Sequence, residues 1–272
     1  MLYSKKIDFH THSIHSFDGN HPCKDICECA INNNVKYLAI TDHCEIDSKD
    51  LNFEEFCKNQ FADVANMKKE FYPKLNVYNG IELGQAIYNK PLAEKILSDY
   101  DYDFVLGSIH NLKNMEDFYY LDYTKFNVTE LLTRYFDALI ELCEWGNFDS
   151  LAHLTYPLRY IYGNYKINVD LCKFSDKIEN ILKILVKKEK ALEINTSGLG
   201  MEIHDFLPSV EVIKQFKKLG GKYITIGSDS HYKEKMGNFV NEGLDAIKEC
   251  GFEFVTIYEK RQPKFIKIDD LV

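Results

Sequence analysis

IDFHTHSIHSFDG, residues 7–19, starts as a strand and breaks off in histidines. A short run, Ile7 to Phe9, gives way to His10-Thr11-His12, and His15 and Asp18 follow within six residues. The first strand, KKIDFH, carries the apolar Ile7 and Phe9 ahead of His10 and is expected to be buried on both faces in a parallel sheet. On an extended chain residues i and i+2 point to one side, so His10 and His12 can face the same ion.

Further strand-like runs recur along the chain: VKYLAIT, LNVYNGIE, YDFVLGSI, NFDSLAHL, ALEIN and KYITIGS. Between them lie helix-like segments, among them CKDICECAINN, FEEFCKNQFADVANMKKEFY, PLAEKILSD with Pro91 suited to a first helical turn, NVTELLTRYFDALIELCEW, VDLCKFSDKIENILKILVKKEK and SVEVIKQFKKLG. Seven βα units read as a parallel barrel or a doubly wound sheet. No linker, repeat or low-complexity segment divides residues 1–272, so one domain is expected. After NFVNEGLDAIKECG, the tail FEFVTIYEKRQPKFIKI reads as a short hairpin.

Each strand ends in polar residues: His10 and His12; His43 in TDH; Glu82 in GIELG; His110 in GSIH; His153 in LAHL; Asn195 in EINTSG; Asp229 and His231 in GSDSH. In a parallel barrel all strand C-termini share one rim, where active sites are built. Histidine and carboxylate are ligands of the borderline divalent ions Zn²⁺, Mn²⁺ and Fe²⁺. His10, His12, Asp18, His43, Glu82, His110, His153, Asp229 and His231 are nine candidate ligands, enough for two or three ions, with Glu82 suited to bridge. Taken singly, a histidine after a strand is usually a satisfied polar residue, and Asp18 or Asp229 would cap a helix. Accidents at every strand end are a poor account of the set. His15, His21 and His204 fall outside the pattern and read as surface or supporting residues.

DFHTHS, AITDH, GIELG, GSIH, LAHL and GSDSH, in this order, resemble the polymerase-and-histidinol-phosphatase (PHP) superfamily over nearly the whole chain. SIHNLKNMEDFYYLDY, EINTSGL and YEKRQPKFIKI resemble its histidinol-phosphate phosphatase branch. The resemblance implies a distorted (β/α)7 barrel with up to three ions at the strand C-termini, held by the nine residues named above. It also implies hydrolysis of histidinol phosphate, a step of histidine biosynthesis. Clustered cations bring the pKa of a bound water from 15.7 toward about 7, so metal-bound hydroxide is the expected nucleophile, attacking in line without a phosphoenzyme. No GxSxG elbow or GxxxxGK[ST] loop suggests another route. Asp229 or a metal-bound water is the candidate donor of a proton to the leaving alkoxide. Arg159, six residues past His153, is the candidate phosphate contact, its bland alternative being a loop anchor. Glu116, with Asp117 beside it, is a candidate partner of the substrate ammonium, or else part of a solvated loop. Many relatives have arginine where this chain has Gly200. That departure keeps another small phosphomonoester or phosphodiester open as substrate, and a non-catalytic metal-binding regulator is the alternative of a different class.

The composition narrows the partners. A net charge of −9 disfavours a surface for nucleic-acid backbone or anionic lipid, and a small phosphate ester is the expected partner. MLYSKKIDF lacks an apolar leader core, and no apolar run approaches the roughly 18 residues of a membrane helix. The eight cysteines are scattered without paired CxxC units and read as structural or free thiols in a reducing cytoplasm. Nothing in the sequence indicates an oligomeric state.

Overall fold

A computed structural model of the chain describes residues 3–48 and 53–272; Met1 and Leu2, part of the stretch read for a leader, lie outside them. Its centre is a parallel sheet in the order β1 (Lys6–Asp8), β2 (Val35–Ile40), β4 (Asn76–Gly84), β5 (Phe104–Ser108), β6 (Ser150–Leu151), β7 (Ala191–Asn195) and β8 (Ile224–Gly227). A short β3 (His43–Glu45) also pairs with β4. Ile40 faces Asn79 and His43 faces Glu82, so β3 resumes the register of β2 after a gap at Thr41–Asp42. The seam between β1 and β8 is joined beyond the strand ends by Phe9 N–H to Ile226 O (2.9 Å), Asp229 N–H to His10 O (2.8 Å) and His12 N–H to Ser230 O (2.9 Å). The sheet thus forms a nearly closed, distorted seven-stranded barrel, which resolves the barrel-or-open-sheet choice in favour of the barrel.

The strands form because their residues are buried on both faces: all of β5, β6, β7 and β8 is buried. Phe9 packs on Tyr78 and Phe104 with ring centroids 5.1 and 5.3 Å apart, and Phe104 stacks on Tyr258 at 5.3 Å. Tyr258 belongs to a hairpin, β9 (Phe254–Glu259) and β10 (Gln262–Lys267). At its turn Arg261 Nε donates to Asp149, and its backbone N–H to Asp103 O. Asp103 and Asp149 immediately precede β5 and β6, so the hairpin covers the N-terminal end of the barrel and leaves the C-terminal rim to the site.

Helices α1 (Cys23–Asn32), α2 (Phe53–Phe71), α3 (Lys90–Asp99), α4 (Val128–Trp145), α5 (Leu158–Tyr165), α6 (Ser175–Lys187), α7 (Val210–Lys218) and α8 (Val240–Glu249) connect the strands. Their ends follow local chemistry. Asn89 Oδ1 accepts from Leu92 N–H at the start of α3, beside Pro91, and Asn127 Oδ1 accepts from Thr129 and Glu130 N–H at the start of α4. Gly146 ends α4 at φ 69°, a conformation glycine adopts without a Cβ clash. The run NFDSLAHL yields only the two-residue strand Ser150–Leu151, and beyond it the His153 N–H donates to the Glu193 carboxylate rather than to a neighbouring strand. The segment after His153, expected as a loop, forms α5. Among the described residues no helix is long and apolar enough to cross a membrane.

Candidate metal centre

The expected ligands converge at the C-terminal rim. Glu82, fully buried in β4, is the hub. Its Oε1 lies 2.8 Å from His153 Nε2 and 3.1 Å from His110 Nε2. Its Oε2 lies 3.0 Å from His43 Nδ1, 3.2 Å from His10 Nε2 and 3.6 Å from His12 Nε2. Asp229 Oδ1 stands 3.3 Å from His12 Nε2 and 3.6 Å from His10 Nε2. Asp18 reaches His231 Nε2 at 3.2 Å and His43 Nε2 at 3.7 Å. All nine residues therefore lie in one cluster, contributed by loops and strands from residue 10 to residue 231. Close approach depends on glycine: a Cβ at Gly227 in β8 would stand 2.2 Å from His10 Cβ.

The imidazoles are oriented from behind. His10 Nδ1–H donates to Glu193 Oε1 (2.6 Å) and His110 Nδ1–H to Glu45 Oε1 (2.9 Å). Ser16 Oγ donates to Asp42 (2.8 Å), so it accepts from His12 Nδ1–H at 3.1 Å. His231 Nδ1–H donates to Asp229 O at 3.1 Å. In each of these four rings the anchored Nδ1 leaves the Nε2 lone pair facing inward, the arrangement a ligand histidine requires. His10 Nε2, His12 Nε2, His43 Nδ1 and Glu82 Oε2 are buried and make no hydrogen bond. Buried polar atoms rarely go unpaired. Several of them converging within 3.6 Å without bonding each other is what donors around a cation do, and the His–carboxylate set fits divalent metal.

The electrostatics agree. Burial disfavours charge on His10, yet the Glu193, Glu82 and Asp229 carboxylates outweigh it and hold its pKa well above the usual imidazole value. His110 is likewise pushed up to about 10 by Glu45 and Glu82 against burial. Burial, reinforced by His231 and His43, keeps His12 neutral. Glu82 and Asp229 stay ionised despite burial, Glu82 through His10, His110 and His43, and Asp229 through His10 and Arg159. Without a cation the cluster is held together by sharing protons between buried histidines and carboxylates. An ionised Asp229 is suited to ligation.

Arg159 is buried in the first turn of α5, a helix rather than a loop. Both Nη atoms donate to Asp229 Oδ2 at 3.1 Å, and the guanidinium lies over Tyr156 at 4.8 Å from the ring centroid. It therefore abuts the cluster. Glu116 is exposed on the loop after β5. Its neighbour Asp117 turns inward instead, accepting from Tyr156 Oη at 3.0 Å. Gly200 packs under Phe239, whose Cε2 would be 3.0 Å from an added Cβ, and His204 is exposed. His15 pairs with Asp63 (3.1 Å) and His21 lies 3.7 Å from Glu234, both outside the nine-residue cluster.

Sequence reasoning missed Glu45, Glu193 and Asp42, the carboxylates behind the ligands. Two carried a signal: Glu45 follows His43 by two residues and Glu193 precedes Asn195 by two, the same-face spacing that joined His10 to His12.

A family model described as the PHP domain matches residues 8–197. The chain is 32% identical over 260 residues to a probable histidinol-phosphatase of Thermotoga maritima, covering 94% of this chain and 97% of that one. It is 30% identical over 257 residues to the histidinol-phosphatase of Lactococcus lactis, covering 91% and 92%. The crystal structure of histidinol phosphate phosphatase from Lactococcus lactis, complexed with zinc, L-histidinol and phosphate, superimposes with a TM-score of 0.84 at 26% identity, covering 95% of this chain and 98% of that one.

Proposed function

Because this chain belongs to the PHP domain family, we propose that its rim cluster is the active centre of a metal-dependent phosphoric monoester hydrolase that converts L-histidinol phosphate and water to L-histidinol and phosphate. Relatives of that activity align with more than nine-tenths of the chain. The observation that carries the reading is Glu82, a buried carboxylate with five histidines within 3.6 Å of its two oxygens.

His10, His12, Asp18, His43, Glu82, His110, His153, Asp229 and His231 would hold two to three divalent ions of the zinc, manganese or iron kind. Such ions supply the charge that makes water nucleophilic at neutral pH and that neutralises phosphoryl oxygens. The chain's own residues do the rest. Glu193, Glu45 and Ser16 fix the ring orientations of His10, His110 and His12. Arg159, already desolvated against Tyr156 and Tyr160, presents a planar two-pronged donor to the phosphate when it exchanges Asp229 Oδ2 for a substrate oxygen. Asp117, half-buried and bound to Tyr156 Oη, is placed better than exposed Glu116 to meet the substrate ammonium.

A second reading rests on Gly200. Where the histidinol-phosphatase pattern carries arginine this chain has Gly200, packed under Phe239, a departure from that pattern that leaves a phosphomonoester of another small alcohol as the alternative substrate. One experiment addresses both: phosphate release by the Zn²⁺- and Mn²⁺-loaded protein from histidinol phosphate, other small phosphomonoesters and bis-aryl phosphodiesters. Preference for histidinol phosphate supports the first reading. Turnover only of another monoester supports the second, and turnover of none, with metal bound, overturns both.

A further inference from the structure

His15 lies one turn of loop away from the centre and belongs to a different grouping. Its Nε2 is 3.1 Å from Asp63 Oδ2, and the Sγ of Cys23 shares the same space, the three donor atoms lying within 4.8 Å of one another. They come from three elements: the loop after β1, the first residue of α1, and the middle of α2. The Cys23 side chain is fully buried and forms the floor, while His15 and Asp63 are 15% and 40% exposed, so the open side of the triangle faces solvent.

Nitrogen, thiolate and carboxylate together suit borderline ions such as Zn²⁺ or Co²⁺ rather than Mg²⁺ or Ca²⁺. With bonds of about 2.0–2.3 Å, a tetrahedral ion spaces its donors roughly 3.3–3.8 Å apart. Donors already within 4.8 Å need only small side-chain adjustments to reach that spacing. A further negative charge stands close by: Asp42 is buried and accepts from Ser13 N–H, Ser13 Oγ and Ser16 Oγ. Burial, then Asp42, pushes the Cys23 thiol up, so it keeps its proton until a cation arrives.

We propose that His15 Nε2, Cys23 Sγ and Asp63 Oδ2 form a separate site for one borderline divalent transition-metal ion, completed by solvent. Binding exchanges the thiol proton, lost to solvent, for a sulfur–metal bond, with no redox change. The ion ties α1 and α2 to the loop that delivers His12 and Asp18. This site is independent of the chemistry assigned to the rim cluster, whose nine residues include no sulfur.

Sulfur gives the site its own signature. The full-length protein is stripped with chelator and titrated with Co²⁺. Wild type is expected to develop a near-ultraviolet sulfur-to-cobalt charge-transfer band with the uptake of one ion beyond those of the rim cluster. Cys23→Ser should lack both band and extra ion while keeping the visible cobalt absorption of the nitrogen–oxygen cluster. Asp63→Asn, at a partly exposed position, should shift the midpoint of the band at least about tenfold to higher Co²⁺. No band in Co²⁺-saturated wild type, or a band retained in Cys23→Ser, overturns the proposal. If buried Cys23→Ser does not fold, Asp63→Asn and His15→Gln decide: an unshifted midpoint in both overturns it.

Discussion

Replacing Glu193 by glutamine changes a residue that touches no candidate substrate position yet should weaken the metal centre. Glu193 is 1% exposed, and only donors surround its carboxylate: His10 Nδ1–H at 2.6 Å on Oε1, and His153 N–H at 2.7 Å and Asn195 Nδ2 at 3.2 Å on Oε2. Glutamine keeps the shape but makes one terminal atom an amino group. Turned toward His153, that group meets a backbone N–H and the Asn195 amide. Turned toward His10, it meets Nδ1–H, or forces the proton onto Nε2 and blocks the lone pair aimed into the cluster. A hydrogen bond to a charged group contributes roughly 1.5–3 kcal/mol. At about 1.4 kcal/mol per tenfold, its loss is about 10- to 150-fold in affinity for the ion held by His10, in keeping with the roughly 10- to 100-fold seen when supports of ligand histidines are removed. The assay is a Zn²⁺ or Mn²⁺ titration of stripped wild type and Glu193→Gln against a competing chelator, with far-ultraviolet circular dichroism to verify the fold. The variant should need that much more metal for half-maximal phosphatase activity and recover most of its rate at saturation. An unchanged metal dependence in a folded variant would refute the reasoning that Glu193 sets the His10 ring.

Arg159→Ala should lower kcat/KM for phosphomonoesters by about two orders of magnitude, with Arg159→Lys recovering only part, since lysine lacks the planar fork; wild-type kcat/KM in the alanine variant would reduce Arg159 to an anchor for Asp229. Elemental analysis of active protein should give more than one transition-metal ion per chain, and Glu82→Ala should lose metal and several orders of magnitude in kcat. His110 is pushed up to about 10 in the metal-free protein. A raised imidazole pKa lends stability that is complete below the unfolded value of about 6.5 and is lost as pH rises through about 10. Scanning calorimetry of the stripped protein should therefore show Tm falling across that window, and a flat profile would contradict the proton-sharing cluster. Hydrolysis in ¹⁸O-water should place the label in phosphate; label in the alcohol would mean cleavage of the carbon–oxygen bond.

The nine clustered residues were legible because metal chemistry demands residue types that buried strand ends otherwise avoid, and because the parallel barrel gathers those ends on one rim. His10, Glu82 and His231 needed no contact information to be grouped. Their supports were harder. Glu45 and Glu193 are ordinary-looking acidic residues, and only the two-residue parity within β3 and β7 sets them facing the centre. The helix carrying Arg159 was hidden by its composition: Tyr160, Ile161, Tyr162, Gly163 and Tyr165 are weak helix formers, and packing of Arg159 and Ile161 decides the conformation. Glu116 and Asp117 are equivalent as sequence. Which one turns inward depends on Tyr156, nearly forty positions later, a relation that no local pattern encodes.

The seam of the barrel has a bearing on the order in which the chain comes together. It is closed by bonds from Phe9, His10 and His12 to Ile226, Asp229 and Ser230, and those same two segments carry His10, His12, Asp229 and His231. During synthesis, therefore, His10 and His12 wait for more than two hundred residues before Asp229 and His231 emerge. A helix that presents its candidate donors one turn apart gathers them early; here the full set of nine comes together only when the first and last strands of the barrel meet. On the proposed reading, ion capture by the complete set would act as a late lock on an already formed topology. It would add RT ln(1 + [L]/Kd) to the finished fold, whereas a chain that ends before Asp229 would lack the donors of that last segment.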